Sequence, residues 1–283
     1  MQTVNHNAKA ATIALASYAV FTGSDTIIKL LSDGVPLAQV TFISTGLAAA
    51  FIVLQAIVTG KTSRLVPRFP IFTVTRAVIL ASETALIFYA FSQIPLTEAY
   101  VLAFLAPIFV ALLAFLFLKE RLSWLATIGV ILGFVGVVIV LRPTSSPLEL
   151  GHFAAIGSAF LFAITLLMLK RAHLDESDLA LAFSPLVILS VSALMTALWS
   201  DSLVSMSWRT VAIFMLGGVC MYAGNMLLVR AFRTGQPSIV APFQYSQLFW
   251  GSLFSYFIFG ATIDLYTIIG AAVIVLSGLL VLR

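Results

Sequence analysis

Apolar runs of about 20 residues recur along the chain. Each is closed by a cluster of charge, proline or glycine. A helix needs roughly 20 predominantly apolar residues to cross the hydrocarbon of a bilayer. Division at the polar clusters predicts ten transmembrane helices, at residues 10–31, 36–58, 70–93, 96–117, 123–141, 150–170, 179–199, 210–232, 236–258 and 265–282. Several links are very short, among them "IPLT", "KERLS" and "TGQPS". They predict antiparallel hairpins.

Composition fixes the solvent for these runs. Of 283 residues 61% are hydrophobic and only 9% charged, against about 25% charged in an ordinary soluble domain. Mean hydropathy is +1.11. One soluble core could not hide that much apolar surface, so lipid must take the place of water around most of the chain. The first run continues from residue 10 to 31, longer than the h-region of a cleaved signal peptide, and predicts a retained span. The net charge of +4 comes from cations scattered singly between apolar runs, without the basic patch that nucleic acid requires.

Those cations orient the chain. With the N-terminus in the cytoplasm, Lys9, Lys61, Arg64, Arg68, Lys119, Arg121, Lys170, Arg171, Arg230, Arg233 and Arg283 fall inside, and Lys29, Arg142 and Arg209 outside. That is the positive-inside pattern of an inner-membrane protein with both termini cytoplasmic.

The chain also reads twice. A shift of 141 positions lays residues 94–142 on 235–283 without a gap, with Gly129 on Gly270 and "VLR" at 140–142 on "VLR" at 281–283. The Pro/Ser-rich stretch after Arg142 reads as a linker at 144–147, which divides the chain into repeats 1–143 and 148–283. Five spans per repeat is an odd number, so the second repeat should be inverted relative to the first. Inverted repeats recur in transporters, with the solute held near the midplane between them.

Polar residues inside the spans are costly and usually face protein or a cavity. In the third span Arg76 and Glu83 are seven residues apart and share a face. In the first, Asp25 and Lys29 have the i,i+4 spacing of a local ion pair. On the eighth, Gly218, Tyr222 and Asn225 share a face. On the ninth, Gln244, Gln247, Gly251 and Ser255 form a polar or small stripe with Trp250 nearby. Amides can meet either end of a zwitterion, although small and amide residues also serve helix packing. Tyr89, Tyr100, Tyr222, Tyr245 and Trp250 combine a flat ring with a polar tip, suited to a flat solute. Pro107 and Pro242 remove backbone donors in the fourth and ninth spans and are candidate kinks or gates. Cys220 is the only cysteine, and no Cys/His pair has metal-ligand spacing. No nucleophile, metal or phosphate-loop signature appears, so neither an enzyme nor a cofactor is expected.

The stretch 88–141, "FYAFSQIPLTEAYVLAFLAPIFVALLAFLFLKERLSWLATIGVILGFVGVVIVL", resembles the third-to-fifth-helix block of the drug/metabolite transporter superfamily in its EamA branch. The likeness rests on the Glu98-Ala99 pair, Pro107, the "LKER" turn and the glycine-spaced fifth helix. "PFQYSQLFWGSLFSYFIFG" (242–260) resembles the ninth helix of that family, and "FTGSDTIIKLL" (21–31) its first. The chain departs from the family at Ala261, where a glutamate is usual. Within the branch it is most similar to the YddG-type amino-acid exporters. The resemblance implies ten helices around a central cavity, with the fifth and tenth more peripheral, and alternating access. The expectation is an inner-membrane exporter of small metabolites, amino acids including aromatic ones. Glu83 would hold an ammonium or a proton, and proton coupling would follow from the second role. A nucleotide-sugar or other metabolite carrier and a non-transporting membrane subunit are the alternatives. Phosphorylated solutes would call for more cavity Lys or Arg than Arg76 and Lys29.

Overall fold

A computed structural model describes residues 2–118, 124–141, 148–172, 175–234, 243, 244, 246–260 and 265–281. Pro242, Tyr245 and the linker 144–147 lie outside them. The described residues are almost wholly helical: α1 (Gln2–Ser32), α2 (Leu37–Val58), α3 (Pro70–Gln93), α4 (Leu96–Ala103), α5 (Ala106–Leu118), α6 (Trp124–Leu141), α7 (Leu150–Arg171), α8 (Asp178–Trp199), α9 (Trp208–Thr234), α10 (Ser246–Phe259) and α11 (Leu265–Val281). Six of them, α1, α2, α3, α7, α8 and α9, are long and apolar enough to cross a membrane.

Local chemistry sets the ends. Pro36 precedes α2 and Pro70 opens α3, where a missing amide hydrogen costs nothing. After α2, Gly60 takes φ +64, and the next amide, of Lys61, reaches back to the Ala56 carbonyl at 2.7 Å. That is a glycine-dependent Schellman closure. Ser177 caps α8 by accepting from the Leu179 amide.

The predicted fourth span, 96–117, is two helices. α4 ends at Ala103, and α5 begins at Ala106 after a turn at Phe104 and Leu105. Pro107 explains the break. It has no amide hydrogen to offer the Ala103 carbonyl four residues earlier, and it is well tolerated in a new first turn.

Shifting the chain by 141 positions carries α1 onto α7, α2 onto α8, α3 onto α9 and α6 onto α11. The packing obeys that exchange. α1 packs on α9 and α7 on α3, α2 packs on α9 and α8 on α3, and α2–α8 and α6–α11 pair with their own counterparts. Along the α1–α9 seam, Ser17 Oγ donates to the Gly224 carbonyl at 2.8 Å and Ser24 Oγ to that of Gly217 at 3.4 Å. A Cβ at Gly217 would lie 2.9 Å from Ile27 Cγ2, and one at Gly224 3.0 Å from the Phe21 ring. Small residues and cross-helix hydrogen bonds matter here because lipid gives helices little hydrophobic reason to associate. The outer faces are apolar, and Trp199 and Trp208 are exposed at neighbouring helix ends, where amphipathic rings suit the membrane interface.

At the end of the bundle where α3 begins, the loop between α7 and α8 ties the two halves together. The Glu176 carboxylate is 2% exposed. It accepts from the Arg68 amide (3.1 Å), the Phe69 amide (2.9 Å), Thr73 Oγ1 (2.8 Å) and the Ser177 amide (3.0 Å). Two of these donors are orphan amides at the start of α3. Arg233, in the last turn of α9, donates to the Glu176 carbonyl at 2.6 Å and pairs with Asp178. Burial acts to raise the Glu176 pKa, but the hydrogen bonds from Phe69, Thr73, Arg68 and Ser177 outweigh it and hold it below the ordinary glutamate value.

Candidate functional site

A cavity of about 130 Å³ lies among α1, α3, α4, α7, α8, α9 and the start of α10. An apolar cavity of about 150 Å³ accepts a benzene ring, so one ring or a short aliphatic chain suits the space. Among the described residues, none of α6 or α11 lines it.

The lining follows the exchange of halves. Tyr18 and Ala159, Phe21 and Phe162, Asp25 and Leu166, Leu80 and Met221, Thr84 and Asn225, Ile87 and Leu228, Phe88 and Val229, Ala103 and Gln244 are pairs 141 positions apart, and both members of each pair line the cavity. The cavity therefore sits on the relation between the repeats. Its shape is shared between them, but its charge is not. Asp25, Glu83 and Arg76, its three ionisable residues of ordinary acid or base type, all come from the first half.

Glu83 is half-buried on α3. Its Oε1 accepts from Ser158 Oγ of α7 at 2.9 Å, and its Oε2 from the neighbouring Thr84 hydroxyl at 3.0 Å. Both donors are neutral. The counterpart of this contact is the Ser17–Gly224 bond, since Ser17 maps on Ser158 and Gly224 on Glu83. In the second half a backbone carbonyl fills the place that a carboxylate takes in the first.

Asp25 corrects one expectation. It does not pair with Lys29. Asp25 Oδ2 accepts from the Tyr100 hydroxyl at 2.8 Å, while Lys29 Nζ turns to the end of α3 and donates to the carbonyls of Phe91 (2.6 Å) and Ile94 (3.4 Å). The negative end of a helix dipole and two carbonyls without intrahelical partners draw the ammonium away. Asp25 is left lining the same cavity as Glu83.

Arg76 lines the cavity and is only 4% exposed, but among the described residues it makes no ion pair with Glu83. Its Nε donates to the Thr165 carbonyl at 3.4 Å and one terminal nitrogen to the Leu181 carbonyl at 3.1 Å. Pro185 lies inside α8 and cannot return an amide hydrogen to Leu181, four residues earlier. The guanidinium supplies what the proline withholds and bridges α3, α7 and α8.

Tyr100, Asn225, Gln244 and Gln247 also line the cavity. The Tyr100 ring meets Phe91 edge-on with centroids 5.5 Å apart. It also rests against Gly251, where a Cβ would come within 2.8 Å of two ring carbons. Two buried oxygens of the wall, Tyr18 Oη and Gln244 Oε1, have no hydrogen-bond partner among the described residues.

Tyr89, Tyr222 and Trp250 are not part of the lining. Tyr89 follows Glu83 by six positions, which turns it well away from that face. Tyr222 packs on Phe51 of α2 with centroids 6.1 Å apart, and Trp250 on Phe249 at 5.0 Å. Gly218, on the predicted Tyr222 face, meets Leu47 of α2. Asp25, which its place inside the first span marks out, lines the cavity together with Tyr18 on the same face, while Pro185 carries no sequence signal of a place in the wall.

The chain belongs to the EamA-like transporter family, which it matches twice, over residues 8–142 and 149–283. The two matches begin and end 141 positions apart. It is 28% identical over 246 residues to an S-adenosylmethionine uptake transporter of Rickettsia bellii (strain RML369-C), covering 85% of this chain and 80% of that one. It is 26% identical over 275 residues to the pseudopaline exporter CntI of Pseudomonas aeruginosa (strain UCBPP-PA14), covering 94% and 93%. A crystal structure with 17% identity has a TM-score of 0.72 and covers 96% of each chain, which shows a shared fold. The chain is thus a multi-pass membrane transporter for small metabolites. These relatives carry names other than amino-acid exporter, so the family is established at a coarser level than the YddG-type resemblance.

Proposed function

We propose that this transporter carries small metabolites bearing an ammonium group, amino acids including aromatic ones among them, across a bacterial inner membrane by alternating access. One observation supports this above all. Asp25 and Glu83 face a cavity walled by Phe21, Phe88, Phe91 and Phe162, and the one guanidinium among its described lining residues is held by backbone carbonyls.

The carboxylates hold the ammonium, and Tyr100 fixes Asp25. The rings take the side chain, and Asn225, Gln244 and Gln247 orient the remaining polar groups. Arg76 acts as a brace for α8 rather than as a contact to the solute. Between solutes Glu83 is a place for a proton, which would couple transport to the proton gradient. The reading takes ten helices in two inverted repeats with both termini cytoplasmic, and bends at Pro107 and Pro242 as the hinges of the rocking halves. Phosphorylated solutes are disfavoured, because they need cations free to clamp them.

The test is transport by the purified chain in liposomes. Labelled tryptophan, threonine and S-adenosylmethionine should exchange in uptake and in efflux from loaded vesicles. Rates equal to those of empty liposomes for all three would sink the reading.

A further inference from the structure

We propose that the solute is a net cation, and that Asp25 and Glu83 together select it over the zwitterion of the same size. This rests on the reading of the cavity as a site for ammonium-bearing metabolites and narrows its substrate class.

The wall has a surplus of acceptors. Glu83 is solvated by two hydroxyls, which leave its charge uncompensated. Asp25 gives one oxygen to Tyr100 and turns the rest of its carboxylate to the cavity. Arg76 keeps its charge as well, with its Nε and one terminal nitrogen held by carbonyls, so with both carboxylates ionised the wall carries one negative charge in excess. Independently of these charges, Gln244 Oε1 and the Tyr18 hydroxyl, which can donate as well as accept, are buried in residues only 4% and 2% exposed and have no partner among the described residues. A buried amide oxygen can only accept, so it calls for an N–H or O–H from whatever fills the cavity.

A zwitterion answers one carboxylate with its ammonium and then brings in a third negative group. A net cation brings donors and positive charge without that repulsion. The second half reinforces the choice, since its described residues add amides, the Ser158 hydroxyl and apolar groups to the lining but no cation.

The test compares pairs of equal size. L-tryptophan and L-tryptophanamide, and L-methionine and L-methioninamide, are titrated calorimetrically into the purified chain. The amide, a net cation, should bind at least about tenfold more tightly than its parent, a difference of about 1.4 kcal/mol. Asp25→Asn or Glu83→Gln, with unchanged gel-filtration behaviour, should bring each pair close to parity. Zwitterions that bind as tightly as their amides, or a preference that survives in both variants, would overturn the proposal and leave the ammonium reading standing. If no compound of either pair binds, both readings fall together.

Discussion

Replacing Glu176 by alanine removes one carboxylate and leaves four donors without their acceptor: the Arg68, Phe69 and Ser177 amides and Thr73 Oγ1. Hydrogen bonds to a charged group contribute about 1.5–3 kcal/mol each, and an unsatisfied buried donor costs about 1–3 kcal/mol. Arg68 is exposed and Phe69 half-exposed, so water replaces part of the loss there. Thr73, 1% exposed, has less access to water. The expected loss is therefore about 3 kcal/mol, well short of a plain sum. With about 2–4 °C per kcal/mol for a chain approaching this size, the unfolding midpoint of Glu176→Ala should fall by about 6–12 °C. Glu176→Gln retains an acceptor but loses the charge, and should fall by about half as much.

The pH dependence gives a separate check. The Glu176 pKa is lowered in the folded chain, so the unfolded chain binds the proton more readily. The stabilisation is complete above the unfolded value, about 4.3. It is lost as pH falls through the lower folded value. Tryptophan fluorescence during heating in detergent, repeated from neutral pH down to well below the unfolded glutamate value of about 4.3, should show wild type and Glu176→Gln converging at the acid end. A Glu176→Ala midpoint within about 2 °C of wild type, or parallel pH curves, would refute the role of this carboxylate as the tie between the halves.

Three further outcomes are expected. Gly251→Ala should push the Tyr100 ring from its seat and reduce transport roughly tenfold, a loss of about 1.4 kcal/mol; Tyr100→Phe, which keeps the ring and loses the hydroxyl that donates to Asp25, should show a comparable rise in KM in liposome uptake. Arg76→Met should destabilise by about 3 kcal/mol alone, and by about 1 kcal/mol less when Pro185→Ala restores an amide to the Leu181 carbonyl; strict additivity in thermal unfolding would remove the brace. Ser158→Ala should weaken solute binding by titration because Glu83 loses a donor, while its counterpart Ser17→Ala should alter stability with little change in affinity.

The long runs were legible because the bilayer constrains length and polarity together. Pro70–Gln93 has the same limits in sequence and structure. The break at Phe104 and Leu105 lies within an unbroken apolar stretch, and only Pro107 hints at it. The i,i+4 rule failed at Asp25 and Lys29 because it describes an isolated helix. Here a tyrosine hydroxyl and the end of another helix made better partners. Arg76 and Glu83 do share the face that their spacing predicts, yet one braces α8 and the other meets Ser158. Spacing along a helix says nothing of what stands opposite. Aromatics were the hardest to place, since a helix that is apolar all round offers no pattern to tell a ring facing a cavity from one facing lipid. Tyr18 lines the cavity while Tyr89 and Tyr222 do not, and nothing in their sequence settings tells them apart.

The pairing of Glu83 with Gly224 bears on how a carrier of this kind would cycle. Two repeats can trade conformations, but they cannot trade a carboxylate for a glycine. As the halves exchange shapes, a bound solute would stay moored by its charged end to α1 and α3, and only the surroundings of its other end would turn over. The two sides of the membrane would then meet one cargo through different walls, so loading and unloading need not be mirror images. A transporter with symmetric architecture would in this way have kinetically unequal sides, while the solute and ion gradients alone set the direction of net flow.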